Sequence, residues 1–497
     1  MAPDPRTPVL VGVGQWSNRV DRGEPAVEPA DMMAEALRRA AEDSGAGPRA
    51  LERADAVRVS RSLSRNYRNP ARLVAERVGA GPRDEAVTPV GGNEPQGLVA
   101  QASRDVAAGD ADIVLICGAE AWRTRSAKPR DRREDLGWTT QDDTVPPARQ
   151  TAPDFQLNHP AEIARQVFAP SQVYALFEHA LRAAAERPID GHLVRISELW
   201  ARFNAVAVGN PHAWIREPLT AEQIRTPTAD NRWIWWPYTK VMNANNAVEQ
   251  SAALIVCSAA SATALGVPRD RWVFPRAATQ AHDTYIVSHR RDLHSAPALG
   301  AAARALLALG GGVSPDQLAH VDLYSCFPSA VEVAAAEIGL GLDRQLTVTG
   351  GLSFAGGPWN NYGTHAIATM AGVLRADPGS LGLVTGIGGY LTKHTLGLYS
   401  TEPPPDGFRW ADAQEQAEAT PTRELAEEVD GAATVESWVV QHGRDGDAEA
   451  VQVACLLDDG RRAWASSDDG DTVAEMRAGA EQVGRVVKVS PDGALSL

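Results

Sequence analysis

The chain has 497 residues, 44% of them hydrophobic, and is long enough for two to four ordinary globular domains. Its formal net charge of −15 argues against nonspecific binding to nucleic acid or to an anionic membrane. No apolar run approaches the length of a membrane span, so we expect a cytoplasmic protein. Cys117, Cys257, Cys326 and Cys455 stand singly in apolar stretches. This pattern favours buried thiols over disulfides, and we expect no metal.

The N-terminal part of the chain alternates strand and helix signals. TPVLVGVGQWS (7–17) predicts a buried strand, and PADMMAEALRRAAEDSGAG (29–47) predicts an amphipathic helix that ends at glycine. ADAVRVS (54–60) predicts the next strand. Regular alternation of this kind is typical of a layered α/β architecture with mostly parallel strands.

One supersecondary unit occurs twice. The glycine-rich segment GGNEPQG (91–97) precedes a helical pattern and the strand ADIVLICGAEA (111–121). The segment TGGLSFAGGPWNNYG (349–363) precedes a second helical pattern and the strand SLGLVTGIGG (380–389). The shared order of glycine-rich loop, helix and strand predicts a duplicated fold.

Three segments interrupt this pattern. The charged segment 123–160 predicts an inserted loop, and the acidic, proline-rich segment 400–431 predicts a linker between domains. The aromatic stretch NRWIWWPYT (231–239) fits either the wall of an apolar pocket or a ridge that packs against a neighbouring element.

Beyond the linker the pattern changes to strands separated by Asp-Gly pairs, which are typical of hairpin turns. We expect a small β-barrel there, OB-like or SH3-like, with a role in packing or in contact with a protein partner. The expected domains are an N-terminal half with the inserted loop (1–235), a C-terminal half (236–405), a linker (406–430) and an additional C-terminal β-barrel (431–497).

Four blocks of the sequence resemble, in the same order, blocks of the thiolase superfamily over about residues 5–400. The blocks are GAEAW (118–122), VMNANNAVEQSAALIV (241–256), VDLYSCFPSAVEVAA (321–335), and GGLSFAGGP (350–358) with GIGG (386–389). With its C-terminal extension, the chain is most similar to the actinobacterial thiolase-like proteins of type 1, which are often labelled acetyl-CoA acetyltransferases. The resemblance implies a duplicated α/β fold with α-β-α-β-α layers and a ligand of the CoA or acyl-CoA class.

The resemblance also implies which positions correspond to the catalytic residues of thiolases. Glu94 stands at the position of the nucleophilic cysteine, and Gly386 at that of the second cysteine. Gly357 replaces the histidine of the oxyanion hole, and Tyr324 replaces the Asn or His that positions a water. Losing a nucleophile and its oxyanion partners typically costs several orders of magnitude in rate. We therefore expect little thiolase activity.

Glu94, Tyr324 and His394 remain as candidate functional residues, whereas His365 is expected on a packed helix face. At the start of a helix, we expect Glu94 to accept backbone N–H bonds as a cap and to have a lowered pKa. Tyr324 could donate a hydrogen bond to a thioester oxygen. His394 follows the last glycine block closely enough to approach the same pocket.

Two classes of function fit these residues. In the first, the protein is a thiolase-like module that binds CoA or acyl-CoA thioesters without the thiolase catalytic set. In the second, it is an enzyme of altered mechanism, either a lyase that cleaves β-hydroxyacyl-CoA by a retro-aldol reaction or a residual acyltransferase. Retro-aldol cleavage needs a base for the β-hydroxyl and a polariser for the thioester carbonyl, for which Glu94, Tyr324 and His394 are the candidates.

Overall fold

The computed structural model describes residues 3–129, 132 and 136–497. The predicted inserted loop, 123–160, therefore lies partly outside the described residues. The first part of the core follows the predicted alternation of strand and helix. Its elements are β1 (Pro8–Ser17), α1 (Pro29–Asp43), α2 (Arg49–Glu52), β2 (Ala56–Ser60), α3 (Pro70–Val78), β3 (Asp84–Val87), α4 (Glu94–Ala108), β4 (Ile113–Ala121), α5 (Trp122–Ala127) and β5 (Arg149–Gln150).

A mainly helical segment follows and leads back to the first sheet. Its elements are α6 (Pro160–Ala164), α7 (Pro170–Ala184), α8 (Ile189–Gly209), α9 (Ala221–Arg225), β6 (Trp233–Trp236), β7 (Tyr238–Thr239) and β8 (Glu249–Ser258). The first sheet has the strand order β1-β8-β4-β2-β3-β5.

The second half of the core contains α10 (Ala259–Ala264), β9 (Phe274–His282), α11 (Pro297–Leu309), β10 (His320–Asp322), α12 (Pro328–Ile338), α13 (Gly351–Phe354), α14 (Tyr362–Ala376), β11 (Gly382–Gly388), β12 (Lys393–Ser400) and β13 (Arg409–Asp412). Its sheet has the order β10-β11-β12-β9-β13.

The two sheets repeat one pairing pattern. In the first sheet, β1 is antiparallel to β8, β8 is antiparallel to β4, and β4 is parallel to β2. In the second sheet, β9 is antiparallel to β12, β12 is antiparallel to β11, and β11 is parallel to β10. The strands that follow the two glycine-rich loops, β4 and β11, occupy equivalent positions. The predicted duplication is confirmed.

Helices form the remaining layers of the core. Both α4 and α14 lie between the sheets, and each contacts strands of both. Helices α1 and α3 cover the outer face of the first sheet, and α11 covers the outer face of the second. This is the predicted α-β-α-β-α arrangement.

The sheets divide the chain at a different place from the expected domain limits. Strand β8 is hydrogen-bonded between β1 and β4, so the first sheet includes chain up to Ser258 rather than ending at 235. Strand β13 pairs with β9, so the second sheet extends into the expected linker, 406–430. Such boundaries depend on pairing between distant segments, which local patterns do not contain.

The C-terminal region forms a sheet of antiparallel strands, as expected, but the described strands do not form the closed β-barrel that the sequence predicted. Its elements are α15 (Gln414–Glu418), β14 (Gly431–His442), β15 (Ala448–Leu456), β16 (Arg462–Ser467), α16 (Gly470–Arg477), β17 (Val486–Val489) and β18 (Leu495–Ser496). The strand order is β16-β15-β14-β17-β18. An isolated bridge joins Ser466 of β16 to Ala494, which precedes β18, and no ladder connects these two edge strands among the described residues. The last two strands, of four and two residues, are too short for a longer ladder.

The aromatic stretch joins this C-terminal sheet to the core. Strand β6 pairs with β14, and Trp236 packs with Trp438 inside the C-terminal hydrophobic cluster. This part of the stretch is therefore a packing ridge. Among the described residues, no helix combines the length and apolar character that crossing a bilayer requires.

Candidate functional site

A cavity of about 780 Å³ lies beyond the carboxyl ends of β3, β10 and β11. Ligands of open α/β sheets bind in crevices at this edge, because loops after the strands meet there. The wall contains Gly91 and Gly92 of the first glycine-rich loop, Tyr324 after β10, and Ile387 of β11. Ile234 of the aromatic stretch also lines the cavity, so this stretch serves both predicted purposes.

Asparagines of the second glycine-rich segment hold the first loop in place. The Asn360 Oδ1 accepts a hydrogen bond from the Gly91 N–H at 2.9 Å, and its Nδ2 donates to the Arg61 carbonyl at 2.8 Å. The Asn361 Nδ2 donates to the Gly118 carbonyl at 2.7 Å. These bonds tie the two halves of the fold together, and the bond between Asn360 and Gly91 joins two residues of the cavity wall.

Tyr324 is the one of the three candidate residues that lines the cavity. Its hydroxyl lies so close to Gly92 that a Cβ on that glycine would be 2.1 Å from the Oη. The Oη makes no hydrogen bond with any residue that the structure describes. Burial raises the pKa of the phenol well above its ordinary value of 10. Tyr324 therefore offers the cavity a neutral hydrogen-bond donor.

Two further polar groups at the cavity lack a partner within the described part of the chain. They are the indole Nε1 of Trp359 and the Oδ1 of Asn243, and both atoms are buried. An unpaired buried donor or acceptor is costly unless a ligand or water pairs with it. Sequence reasoning missed both residues, although Trp359 directly follows the Pro358 of the family motif.

Glu94 is the first residue of α4 and is 7% exposed, but it does not line the cavity. Its Oε1 accepts hydrogen bonds from the Lys393 Nζ at 3.0 Å and from the Asn93 Nδ2 at 3.1 Å. Burial is the largest influence on its pKa and raises it, although the Lys393 ammonium acts in the opposite direction. The expected backbone cap and the expected lowered pKa are both wrong, because the carboxylate is buried against Lys393 rather than turned to the helix N–H groups.

Lys393 is held as tightly as its partner. Its Nζ also donates to the Val90 carbonyl at 3.1 Å and lies 3.8 Å from the centre of the Phe155 ring. Burial lowers the pKa of this ammonium, and the nearby Glu94 partly offsets that effect. The pair closes the space behind Gly91, where a Cβ would be 2.8 Å from the Lys393 Nζ.

Gly386 and Gly357, the two glycines that the resemblance aligns with catalytic residues, have close neighbours. A Cβ on Gly386 would be 2.9 Å from the Asn93 Cα, and a Cβ on Gly357 would be 3.0 Å from the Asn246 Oδ1. Contacts under 3.0 Å with backbone atoms require the backbone to move. The surroundings of Gly386 therefore have no room for a cysteine in the present backbone conformation.

The candidate histidines lie away from the cavity. The His394 Nε2 is 3.0 Å from the Leu391 carbonyl and 3.3 Å from the Asp283 Oδ2, and the residue is 1% exposed. The His365 Nδ1 is 2.9 Å from the Gln15 Oε1, and burial lowers its pKa to about 3. His365 is packed, as expected, while the predicted approach of His394 to the pocket is wrong, because its ring turns toward Asp283.

Of the four cysteines, all of them buried and free, Cys326 is the one that lines the cavity. Burial raises the pKa of its thiol to about 12. Because the thiolate is the nucleophilic form, Cys326 is poorly suited to attack a thioester at neutral pH.

Charged side chains stand where the cavity meets solvent. Arg123 and Lys240 supply two exposed positive charges, and Asp230 supplies one negative charge. This local excess of positive charge contrasts with the formal charge of −15 of the whole chain.

Comparisons with known proteins agree with this geometry. Residues 412–494 match the model of the thiolase-like protein type 1 additional C-terminal domain. A solved structure from Mycobacterium smegmatis, a monomeric SCP2-thiolase-like protein type 1, is 31% identical, covers 99% of each chain and superposes with a TM-score of 0.83. A search of curated protein sequences finds no match.

Two more distant structures share the core. The Ltp2–ChsH2(DUF35) aldolase is 19% identical, covering 79% of this chain and 98% of its own, with a TM-score of 0.59. The acetyl-CoA acetyltransferase of Syntrophomonas wolfei is 14% identical, covering 80% of this chain and 100% of its own, with a TM-score of 0.56.

The duplicated five-layered core, with its cavity between two glycine-rich loops, is a thiolase-type fold. The additional C-terminal sheet and the similarity over the full length narrow the assignment. The chain belongs to the SCP2-thiolase-like proteins of type 1.

Proposed function

We propose that the protein binds the thioester end of CoA or of an acyl-CoA in the 780 Å³ cavity and has little or no thiolase activity. The observation that carries the proposal is the Tyr324 hydroxyl, a donor without a hydrogen-bond partner in the described structure, at the floor of this cavity. A thioester carbonyl is the acceptor that such a donor fits. The volume lies within the range of 300–1,000 Å³ that is usual for small-molecule sites.

The charges at the mouth support the same class of ligand. The phosphates of CoA are anionic, and Arg123 and Lys240 offer exposed cations at the solvent side of the cavity. Paired with a buried donor at the floor, they suit a ligand with a polar thioester at one end and phosphates at the other.

We expect little or no thiolase chemistry, because neither Cys326 nor Glu94 is suited to act as the nucleophile. A thiolase must form a thiolate, and the pKa of about 12 keeps Cys326 protonated at neutral pH. Glu94 stands at the family's nucleophile position but is paired with Lys393 behind the cavity wall. Cys326 is therefore unreactive at neutral pH although it lines the cavity, and Glu94 lies outside the cavity. An acyltransferase activity of this chain, like a cytoplasmic location, stays a prediction.

The competing proposal is retro-aldol cleavage of a β-hydroxyacyl-CoA. The aldolase among the structural relatives motivates it, although that similarity extends to the fold alone. Of the three candidates, only Tyr324 faces the cavity, and its raised pKa makes it a hydrogen-bond donor rather than a base at neutral pH. The geometry supports binding better than cleavage.

Calorimetric titration of the protein with acetyl-CoA tests the proposal. We expect Tyr324→Phe to weaken binding about tenfold, the effect of losing one hydrogen bond of about 1.4 kcal/mol. Tyr390→Phe is the matched control, since this cavity tyrosine already donates to the Phe168 carbonyl at 2.6 Å. Absence of binding by the wild type would refute the proposal, and aldehyde or ketone release from a β-hydroxyacyl-CoA would favour the lyase.

A further inference from the structure

Three buried side chains from separate helices converge behind the cavity. Glu178 of α7, His192 of α8 and Glu332 of α12 each offer one ligand atom, and these atoms lie within 4.8 Å of one another. The His192 Nε2 is 2.5 Å from the Glu178 Oε1 and 4.0 Å from the Glu332 Oε1. The three residues are at most 4% exposed. Sequence reasoning missed the cluster, because its members are spread over 155 positions of the chain.

One carboxylate oxygen of each glutamate accepts a hydrogen bond from outside the cluster, whereas two other polar atoms of the cluster have no hydrogen-bond partner among the described residues. The Glu178 Oε2 accepts a hydrogen bond from the Tyr238 hydroxyl at 2.5 Å, and the Glu332 Oε2 accepts one from the Arg187 guanidinium at 2.9 Å. By contrast, the Glu332 Oε1 and the His192 Nδ1 are buried without a partner among the described residues. The carboxylates are thus oriented from outside with one oxygen each directed inward, as outer hydrogen bonds orient metal ligands.

A bound cation would compensate the negative charge of the two buried carboxylates. Two carboxylates face each other across one imidazole, away from water, which is costly unless positive charge compensates them. The guanidinium of Arg187 donates to the outer oxygen of Glu332, and that of Arg195 lies 3.7 Å from the same oxygen. The inward Glu332 Oε1 makes no hydrogen bond with a described residue, and the His192 Nε2 lies 4.0 Å from it.

We propose that Glu178, His192 and Glu332 bind a divalent transition-metal cation of the Zn²⁺ class. One imidazole nitrogen with two carboxylate oxygens is a ligand set that suits Zn²⁺, Mn²⁺ or Co²⁺. Ca²⁺ and Mg²⁺ prefer more oxygen ligands or retained waters than this dry site offers. Binding requires the His192–Glu178 contact to open so that the ion lies between them.

A bound ion would hold the wall of the cavity. The Tyr238 hydroxyl joins Glu178 to the Ser329 Oγ at 2.9 Å, directly beside Phe327. The ring of Phe327, which lines the cavity, stacks on Tyr238 at 5.8 Å and on Tyr174 at 4.5 Å. The ion would therefore connect α7, α8 and α12 behind this wall. This inference does not depend on what the cavity binds.

Metal uptake by chelator-treated wild-type protein tests the proposal, with Zn²⁺ measured by elemental analysis and Co²⁺ by its visible absorption. We expect one ion per chain and a rise in the melting temperature when Zn²⁺ is added, because an ion that binds only the folded state stabilises it. His192→Gln and Glu332→Gln should each weaken the affinity at least about a hundredfold. Two variants are used so that the test does not depend on the folding of one.

Surface histidines provide the control for adventitious binding. His159 and His289 have ring centres 6.2 Å apart beside a separate cleft. The double variant His159→Ala/His289→Ala should retain the stoichiometric ion. Failure of folded wild-type protein to take up the ion would overturn the proposal. Uptake that survives in both cluster variants, or is lost in the surface variant, would overturn it as well.

Discussion

The Lys393 Nζ lies 3.0 Å from the Glu94 Oε1, at the buried start of α4. Each side chain is about 90% removed from solvent, and burial moves both pKa values toward the neutral forms. On the predicted alignment with thiolases, this structural contact stands where the nucleophile is expected. Glu94 belongs to α4 and Lys393 to β12, so the pair also joins the two halves of the core.

Breaking the Glu94–Lys393 pair should destabilise the fold without changing the affinity for acetyl-CoA. We expect Glu94→Gln and Lys393→Met each to lower the free energy of unfolding by about 3 kcal/mol, since each leaves a buried charge unpaired. The double variant should lose less than the sum of the two. Urea unfolding measures all three, and strictly additive losses would contradict the pairing. Acetyl-CoA affinity should change less than about twofold, because neither side chain lines the cavity.

Gly92→Ala should close the floor of the cavity. The added Cβ would stand 2.1 Å from the Tyr324 Oη and 2.6 Å from the Ile387 carbonyl oxygen, so both the ring and the backbone must move. We expect a loss of about 1–3 kcal/mol in stability and weaker acetyl-CoA binding. Gly372→Ala, in open space within α14, is the matched control and should stabilise by up to about 1 kcal/mol. Unchanged binding by Gly92→Ala would place the ligand elsewhere.

The sequence predicted those features of the fold that depend on local pattern. The repeat of loop, helix and strand around α4 and α14 can be recognised in the sequence, because each repeat is one contiguous segment of the chain. The contact between Glu94 and Lys393 cannot be predicted from local sequence. It depends on how β12 packs against α4, and the two residues are 299 positions apart. For the same reason, local pattern does not indicate that β8 pairs within the first sheet. Tyr324, which a contiguous motif singles out, does line the cavity. Asn243 and Trp359 were missed, because their lack of hydrogen-bond partners is visible only in three dimensions.

Glu120 should make stability depend on pH. It is fully buried, and burial raises its pKa to about 7 from an ordinary 4.5, although its oxygens accept the Leu63 and Ser64 N–H bonds at 2.6 and 2.8 Å. The folded state therefore holds this proton to higher pH than the unfolded state does. The contribution of the protonated Glu120 to the free energy of unfolding is fully present below pH 4.5 and is lost as the pH rises through 7.

At about 1.4 kcal/mol per pKa unit, the expected loss is about 3 kcal/mol between pH 4.5 and 8. Urea unfolding of the wild type and of Glu120→Gln across this range isolates the effect as their difference. The wild type should lose stability relative to the variant as the pH rises. A difference that is constant with pH, or of the opposite sign, would contradict a raised pKa of Glu120 in the folded state.

Arg462 should hold the C-terminal sheet against the core. This fully buried side chain donates to both oxygens of Glu436, at 2.6 and 2.7 Å, and to the carbonyls of Ser288 and Arg290, at 2.8 and 2.6 Å. We expect Arg462→Met to cost about 3–5 kcal/mol, because it leaves the Glu436 carboxylate and the loop carbonyls unpaired.

Limited proteolysis measures this docking. Cleavage within 413–430 should become faster in Arg462→Met than in the wild type. Arg461→Met is the matched control, as the neighbouring side chain makes only an exposed contact with Asp459 and should leave the cleavage rate unchanged. Equal cleavage of the two variants would show that the C-terminal region docks by other contacts.

The central claim, a thioester site without a thiolase nucleophile, is tested most directly by mass spectrometry of the protein incubated with acetoacetyl-CoA. Under native conditions, we predict a complex of one intact thioester per chain. Under denaturing conditions, we predict the mass of the unmodified protein, because Cys326 stays a thiol and Glu94 stays paired with Lys393. A covalent acyl adduct, or the absence of any complex, would contradict the account.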